Sequence, residues 1–208
     1  MKPLPGDTEQ LFAADSLANN TVTMLCGKPG SGKTTLAFGY LFHALERHEI
    51  ERIIIFCNPV VAKDAARLGF YPGSRIEKIM ESQVGAVLTS KLGDQVEVER
   101  LMAAGSLVLL PAGDARGYEV PQYSGVYVME AQNLTKDLLR MLLQRVADNC
   151  KVIIDGDYNE QVDMSVYSGA NNGMRKMSKV FRNNELYGQV ELKNIHRSAI
   201  AALADEMK

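Results

Sequence analysis

The sequence has no tryptophan, only three cysteines and no long apolar run. Its apolar stretches fall short of the roughly 18 residues that a membrane helix needs, and the opening MKPLPGDTEQ lacks the apolar centre of a secretory signal. We therefore expect a cytoplasmic protein with no membrane partner. The cysteines Cys26, Cys57 and Cys150 are odd in number and end apolar runs, which favours buried, reduced thiols over disulfides or a metal site.

An excess of charge of one sign is also missing. The 23 Lys and Arg side chains against 25 Asp and Glu give a net charge of −2. Contact with nucleic acid would therefore depend on a local patch. The densest basic cluster is MRKMSKVFR, which contains Arg175, Lys176, Lys179 and Arg182. Most such runs are solvated helix faces, but this one is the best candidate for a contact with a phosphate backbone.

Short β-branched runs alternate with helical stretches along the chain. The predicted strands are 21–26, 52–57, 106–111, 125–130, 151–155 and 188–193. The predicted helices are 33–48, 59–68, 75–90, 94–104, 135–147, 170–181 and 195–207. Because most of the strands are apolar on both faces, the pattern predicts an α/β fold with a mainly parallel central sheet flanked by helices. We expect one domain over 1–208, with 1–10 as an extended lead-in.

The strongest chemical signal is GKPGSGKT at 27–34, which fits G-x-x-x-x-G-K-[ST] between a predicted strand and a predicted helix. Its glycines let backbone N–H groups face a phosphate, and the following helix adds its positive end. Lys33 supplies a charge for the β- and γ-phosphates, and Thr34 supplies a hydroxyl for Mg²⁺. ATP and Mg²⁺ are the predicted cofactors. The loop residues expected to bind them are Gly27, Pro29, Gly30, Ser31, Gly32, Lys33, Thr34 and Thr35.

Further motifs extend over nearly the whole chain. They are TEQLFA (8–13), LGFYPGSRIEK (68–78), ARG (115–117), VMEAQNLT (128–135), IIDGDYNEQVD (153–163) and IHRSAIAAL (195–203). Together they resemble the PhoH-like ATPases, relatives of the first RecA-like domain of superfamily 1 helicases, in their stand-alone, phage-type form. The resemblance implies a RecA-like P-loop fold, ATP hydrolysis and helicase-like action on single-stranded RNA or DNA. Asn58 departs from the arginine that is usual in the family, which weakens the nucleic-acid implication at that loop.

The resemblance also implies roles for residues outside the loop. Glu130 would position or deprotonate the attacking water, Arg197 would reach a γ-phosphate, and Asp157 and Gln161 would belong to the catalytic set. One residue more than the usual spacing separates Asp157 from Gln161, so either Glu160 or Gln161 could hold the motif glutamine's role.

TEQLFA is similar to the family's glutamine motif, and this resemblance implies that Gln10 bonds the adenine edge, where an amide can pair with two adenine nitrogens at once. The alternative is an ordinary exposed glutamine at a helix start.

Met129 stands where the family has an aspartate that supports Mg²⁺. A thioether does not bind a hard cation. RecA-like sheets place the next strand between this one and the P-loop strand, and Asp155 and Asp157 lie on one side of that strand if it stays extended. Either aspartate could supply the missing carboxylate, and we expect Thr34, Glu130 and Asp155 to hold the metal, with weak turnover. Replacing Met129 with aspartate is expected to strengthen both metal binding and turnover.

Three function classes stay open: an Mg²⁺-dependent ATPase, a nucleotide-sensing binding module with little turnover, and a small-molecule P-loop kinase. Superfamily 1 helicases close the ATP site between two RecA-like domains, and 208 residues have room for one. The resemblance implies a homo-oligomer, a ring of six, in which Arg197 reaches the neighbour's nucleotide.

Overall fold

The computed structural model describes residues 3–57, 83–159, 162, 165–196, 200 and 203. These residues contain one six-stranded sheet. Its strands are β1 Val22–Gly27, β2 Arg52–Cys57, β3 Leu107–Pro111, β4 Ser124–Val128, β5 Lys151–Gly156 and β6 Tyr187–Leu192. The strand order is β3-β2-β4-β5-β1-β6, and all pairings between these strands are parallel. The predicted mainly parallel sheet of a RecA-like P-loop fold is confirmed, including the place of β5 between β4 and β1.

Helices cover both faces of the sheet. Those in the described residues are α1 Thr8–Asn19, α2 Lys33–Glu46, α3 Gln83–Leu92, α4 Gln95–Ala103, α5 Lys136–Leu143 and α6 Gly173–Phe181. Polar side chains cap the N-termini of several helices by accepting hydrogen bonds from backbone N–H groups of the first turn. Asp7 does this for α1, Thr135 for α5 and Asn172 for α6. Short 3-10 turns, including Ala131–Asn133 directly after Glu130, complete the connections.

The central strands are buried on both faces because their sequences are apolar throughout. β2, β4 and β5 bury nearly every residue, whereas the edge strand β6 alternates polar and apolar residues and is buried at Leu192. One core lies between the sheet and α1 to α4, with Phe38, Leu41 and Tyr127 among its members. The second core lies under α5 and α6, with Leu139 and Met174. The alternation of side chains along each strand separates the two cores.

The start of the chain differs from the predicted extended lead-in over 1–10. Helix α1 begins at Thr8, and the lead-in therefore ends at Asp7, whose carboxylate accepts the N–H groups of Glu9 and Gln10. The helix was missed because its buried residues are small or polar, namely Gln10, Ala13, Ser16 and Leu17. Such a face gives little apolar periodicity.

Other predicted boundaries shift by a few residues. The strand predicted over 125–130 ends at Val128, and the helix predicted over 135–147 ends at Leu143. The helix predicted over 59–68 lies outside the described residues. So does the first part of the helix predicted over 75–90. Of the helix predicted over 195–207, four residues are described: Ile195 and His196 are not helical, whereas Ile200 and Leu203 are.

Candidate nucleotide site

The loop between β1 and α2 has the backbone geometry that binds phosphate. Gly27, Gly30 and Gly32 have φ values of 151°, 86° and 94°, a region that favours glycine. A side chain at Gly27 would also collide with the Leu192 carbonyl oxygen on β6. Helix α2 begins at Lys33 directly after this loop, so its free N–H groups and positive end face the loop.

Lys33 is held within its own loop. Its Nζ donates to the carbonyl oxygens of Gly27 at 2.5 Å and Lys28 at 3.1 Å, and the residue is 8% exposed. A phosphate bound in the loop would offer this ammonium charged acceptors in place of two neutral carbonyls.

Gln10 is buried against the loop. Its Nε2 donates to the Ser31 carbonyl at 3.2 Å, and its Oε1 accepts the Leu4 N–H at 2.9 Å. Gly32 passes so close that a Cβ there would lie 2.7 Å from Gln10 Nε2. The exposed-glutamine alternative is wrong, since Gln10 is 3% exposed.

A second set of contacts ties the loop to the segment after β6. The His196 N–H donates to the Gly30 carbonyl at 2.9 Å, and His196 Nε2 lies 2.7 Å from Asp7 Oδ2. Asn194 Nδ2 also donates to Asp7, at 3.2 Å. The hydrogen bond with His196 is the main cause that holds the pKa of Asp7 below its ordinary value. Residues that precede β1 and residues that follow β6 therefore meet at the P-loop and fix its backbone.

Asp155 reaches the P-loop helix from the end of β5. The Thr34 hydroxyl donates to Asp155 Oδ2 at 3.4 Å, and the Glu130 N–H donates to Asp155 Oδ1 at 3.0 Å. Burial, and next the charge of Glu130, raise the pKa of Asp155 to about 6. Tyr127 lies beneath this group with Asp155 and Thr34 as its polar neighbours. Its buried hydroxyl makes no hydrogen bond of good geometry within the described residues.

Met129 belongs to the apolar core on the α2 side of the sheet and is 6% exposed. β4 and β5 pair as far as Val128 and Ile154, so the next residues are Met129, directly after β4, and Asp155, next to the last residue of β5. Ile153 lies in the same core as Met129, and Asp155 follows Ile153 by two residues, so Asp155 points to the same face.

Glu130 leaves the strand in a left-handed backbone conformation with φ 51°. Its Oε2 accepts a hydrogen bond from Gln132 Nε2 at 2.6 Å. Gln132 is buried, and its Oε1 accepts the Asp157 N–H at 3.3 Å. Gln132 was not singled out by sequence reasoning, although it lies in the VMEAQNLT motif.

Asp157 and Asp155 make hydrogen bonds with different residues. The chain leaves β5 after Gly156, and Asp157 accepts the Asn159 N–H at 3.1 Å while its own N–H contacts Gln132. Asp157 and Gly27 line a cavity of about 290 Å³ between the loop and the end of β6.

A cleft of about 480 Å³ brings together eight of the residues predicted to bind nucleotide or act on it. They are Gln10, Pro29, Gly30, Gly32, Lys33, Thr34, Thr35 and Glu130. Leu4 and His196 also line this cleft and were not predicted. Ser31 is buried beside it. Glu160, Gln161 and Arg197 lie outside the described residues.

The three cysteines are buried free thiols, as expected. Among the described residues, none of the helices combines the length and apolar character that crossing a bilayer requires.

A parallel sheet in this order, with a glycine loop opening into a helix at Lys33 and Thr34, defines the class of P-loop NTPase folds. Residues 4–207 match the profile described as PhoH-like protein, and the chain belongs to this family.

Curated relatives are similar over most of the chain. It is 31% identical over 204 residues to Protein PhoH2 of Mycolicibacterium smegmatis, which covers 96% of this chain and 46% of that protein. It is 33% identical over 174 residues to the PhoH-like protein of Mycobacterium tuberculosis, covering 82% of this chain and 47% of the relative. The chain thus spans about half the length of these relatives. Among solved structures, Pif1 helicase from Candida albicans is similar with a TM-score of 0.45 and 11% identity, covering 100% of this chain and 43% of that one.

Proposed function

We propose that this chain is an Mg²⁺-dependent ATPase of PhoH type that works in the cytoplasm. The contact between Thr34 and Asp155, beside Glu130, carries the proposal. It joins a hydroxyl of the phosphate-binding helix to the buried carboxylate of Asp155, and Glu130, which lines the cleft, is a second acid whose N–H contacts Asp155. That combination is typical of sites that bind a nucleotide together with a metal.

The residues fit a magnesium ion that accompanies a nucleotide. The described residues contain no cluster of three or more His, Cys, Asp or Glu side chains placed to hold a metal. Mg²⁺ in such sites takes one or two carboxylates, phosphate oxygens and water, so it needs few protein ligands. Thr34 and Asp155 would hold it, with Glu130 nearby. When bound, Mg²⁺ neutralises charge on the phosphates.

The chain's own groups account for the remaining chemistry. The loop N–H groups and the N-terminus of α2 would bind the phosphates, and Lys33 would exchange its loop carbonyls for phosphate oxygens. Glu130 would accept a proton from the attacking water, because this residue lines the cleft together with Lys33 and Thr34. Asp155 accepts hydrogen bonds from the Thr34 hydroxyl on α2 and from the Glu130 N–H after β4, so it would keep Thr34 oriented.

Single-stranded RNA or DNA is the proposed macromolecular partner, and the basic face of α6 is the proposed contact. Lys176 and Lys179 are exposed there, and Lys136 on α5 shares a cleft with them. Arg175 is engaged differently: its guanidinium donates to the Tyr158 carbonyl at 3.2 Å and stacks 5.4 Å from the Tyr158 ring. The lysines are therefore the groups that we expect to meet phosphates, with an affinity that falls as salt rises.

We also propose that the working form is a ring of six in which Arg197 of one subunit meets the nucleotide of its neighbour. An arginine supplied by a neighbour accelerates phosphoryl transfer by about a thousandfold or more.

A phosphate-release assay tests the ATPase proposal. We expect Mg²⁺-dependent release from ATP that rises when single-stranded RNA or DNA is added and disappears in Glu130→Gln, while nucleotide binding persists. Asp148→Asn, a carboxylate-to-amide change at an exposed site, serves as the matched control. Binding without release in the wild type would instead identify a nucleotide-sensing module. Transfer of phosphate to an added small acceptor would identify a kinase.

A further inference from the structure

Gln132 joins the loop after β4, whose Glu130 lines the cleft, to the loop after β5. It is 2% exposed, and its side-chain amide donates one hydrogen bond and accepts another. Nε2 donates to Glu130 Oε2 at 2.6 Å, and Oε1 accepts the Asp157 N–H at 3.3 Å. Glu130 follows β4, and Asp157 follows β5. One amide therefore connects the loops at the ends of two neighbouring strands.

Gly156 makes room for this amide. A Cβ at Gly156 would collide with Gln132 Oε1 and would lie 2.6 Å from Met174 Sδ and 3.0 Å from the Gln132 backbone nitrogen. The Gln132 amide is thus packed against Gly156 at the end of β5 and hydrogen-bonded to Asp157, the residue that follows. A side chain restrained in this way has little rotational freedom left.

The backbone of Gln132 is anchored from the other side by α6. Asn172 Nδ2 donates to the Gln132 carbonyl at 2.9 Å, and Asn172 Oδ1 accepts the Arg175 N–H at 2.9 Å to begin the helix. The Gly173 N–H donates to the Leu134 carbonyl at 2.9 Å. The turn that carries Gln132 is therefore fixed to the N-terminus of a packed helix.

Glu130 itself has few restraints of this kind. Its residue is exposed, and it begins the turn in a left-handed conformation. A glutamate side chain has three rotatable bonds, and an exposed one samples many positions. The hydrogen bond from Gln132 restricts one carboxylate oxygen and leaves the other to accept a proton.

We propose that Gln132 is a positioning residue that holds the Glu130 carboxylate for the attacking water, an inference that rests on the proposed ATPase function. Because Gln132 is bonded to Asp157 and anchored by Asn172, Glu130 takes its position from β5 and α6 as well as from its own strand. Gln132 acts through Glu130 and does not itself touch the reacting atoms.

Gln132→Met removes the amide and keeps the length of the side chain. We expect kcat to fall by roughly 10- to 100-fold, the usual effect of losing a group that orients a functional side chain. Nucleotide affinity, measured by fluorescence titration, is expected to change little, whereas Tm should fall by a few degrees because the buried Asp157 N–H loses its acceptor. Gln144→Met makes the same change at an exposed position on the far end of α5 and should leave kcat unchanged. An unchanged kcat in Gln132→Met, or a loss of nucleotide affinity as large as the loss of kcat, overturns the positioning role.

Gln132→Glu tests the donor of the amide separately from its acceptor. It keeps an oxygen to accept the Asp157 N–H but loses the donor to Glu130. We expect it to be as slow as Gln132→Met. Activity near the wild-type level in this variant would show that the donor to Glu130 is not what matters, and would overturn the inference.

A measurement without turnover distinguishes this inference from the ATPase proposal. In ¹⁵N-resolved NMR of the ligand-free protein, the Gln132 side-chain amide is identified by its loss in Gln132→Met. We expect this signal to shift in Glu130→Ala, because its charged acceptor is gone. An unshifted amide overturns the contact even if ATP is hydrolysed. If the amide signal shifts but the protein hydrolyses no ATP, the contact between Gln132 and Glu130 stands. The ATPase proposal is then overturned, and the catalytic role of Gln132 with it.

Discussion

The Thr34 hydroxyl donates to the carboxylate of Asp155 at 3.4 Å, which connects the first turn of the P-loop helix to the end of β5. The same carboxylate accepts the Glu130 N–H at 3.0 Å. Met129, at the end of the neighbouring strand, is packed in the apolar core instead. The aspartate of this site therefore lies on β5, whereas the motif carries it at the end of the neighbouring β4. Thr34 has a carboxylate partner even though residue 129 is not an acid.

Asp155→Asn is expected to weaken Mg²⁺-dependent nucleotide binding by roughly 10- to 100-fold, because the amide keeps the contact with Thr34 but cannot supply a negative charge. Titration of a fluorescent ATP analogue with Mg²⁺ and in excess chelator measures the effect. Binding in chelator should be unaffected or slightly improved, since a buried carboxylate near the phosphates is gone. Equal losses in both conditions would argue for a folding defect rather than a metal ligand.

Met129→Asp is expected to lower stability by about 2 kcal/mol or more, without stronger Mg²⁺ dependence. The new carboxylate would replace a side chain that is only 6% exposed, and it would lie beside the buried Asp155. This reverses the gain expected from the sequence. Chemical denaturation and the Mg²⁺ titration check both parts, with Met129→Leu as the matched apolar control. Tighter metal binding in Met129→Asp would return the role to position 129.

The pH dependence of stability follows from Asp155. Its pKa is raised from 3.8 to about 6, first by burial and then by Glu130, so the folded protein binds this proton more tightly than the unfolded chain. The stabilising contribution is complete below pH 3.8 and is lost as the pH rises through about 6. The gap corresponds to roughly 3 kcal/mol.

Without nucleotide or divalent ions, we therefore expect Asp155→Asn to be more stable than the wild type at pH 8, and the advantage to shrink toward pH 4. Thermal melts of the two proteins across this range measure it. A difference in Tm that stays the same at every pH would contradict the assignment. Asp148→Asn controls for the general effect of removing a carboxylate, because Asp148 is exposed.

The sequence was sufficient for the sheet and the loop, and insufficient for the contacts between distant segments. The strands are apolar on both faces, and glycines at this spacing before Lys33 are typical of a phosphate-binding loop, so both could be predicted locally. The choice between Asp155 and Asp157 could not, because it depends on the chain leaving β5 after Gly156. The anchor between Gln132 and Asn172 joins residues that are 40 apart in the chain, and no local pattern reports it.

Gln10→Ala is expected to reduce affinity for ATP and GTP by similar factors. The Gln10 amide is bonded to the Ser31 carbonyl and the Leu4 N–H, so its loss loosens the phosphate loop, which every nucleoside triphosphate uses. Competition titrations with both nucleotides against one fluorescent analogue give the two affinities. A loss confined to ATP would support the role in adenine recognition that the motif implies.

Mixing two inactive variants tests the proposed ring. Lys33→Ala subunits lack a working loop but keep Arg197, and Arg197→Ala subunits keep the loop but lack the arginine. If Arg197 acts on a neighbour, mixed assemblies should regain part of the wild-type ATPase activity wherever an intact arginine meets an intact loop.

The competing arrangement is an arginine that acts within its own subunit. His196, the residue before Arg197 in the sequence, donates its N–H to Gly30 of its own loop at 2.9 Å. In that arrangement no mixture of the two variants regains activity, because each subunit lacks one of the groups that it needs. Light scattering of the wild type with Mg²⁺ and a non-hydrolysable ATP analogue reports the number of subunits independently. Regained activity together with a mass of six subunits supports the ring, whereas a monomeric mass without regained activity assigns the arginine to its own site.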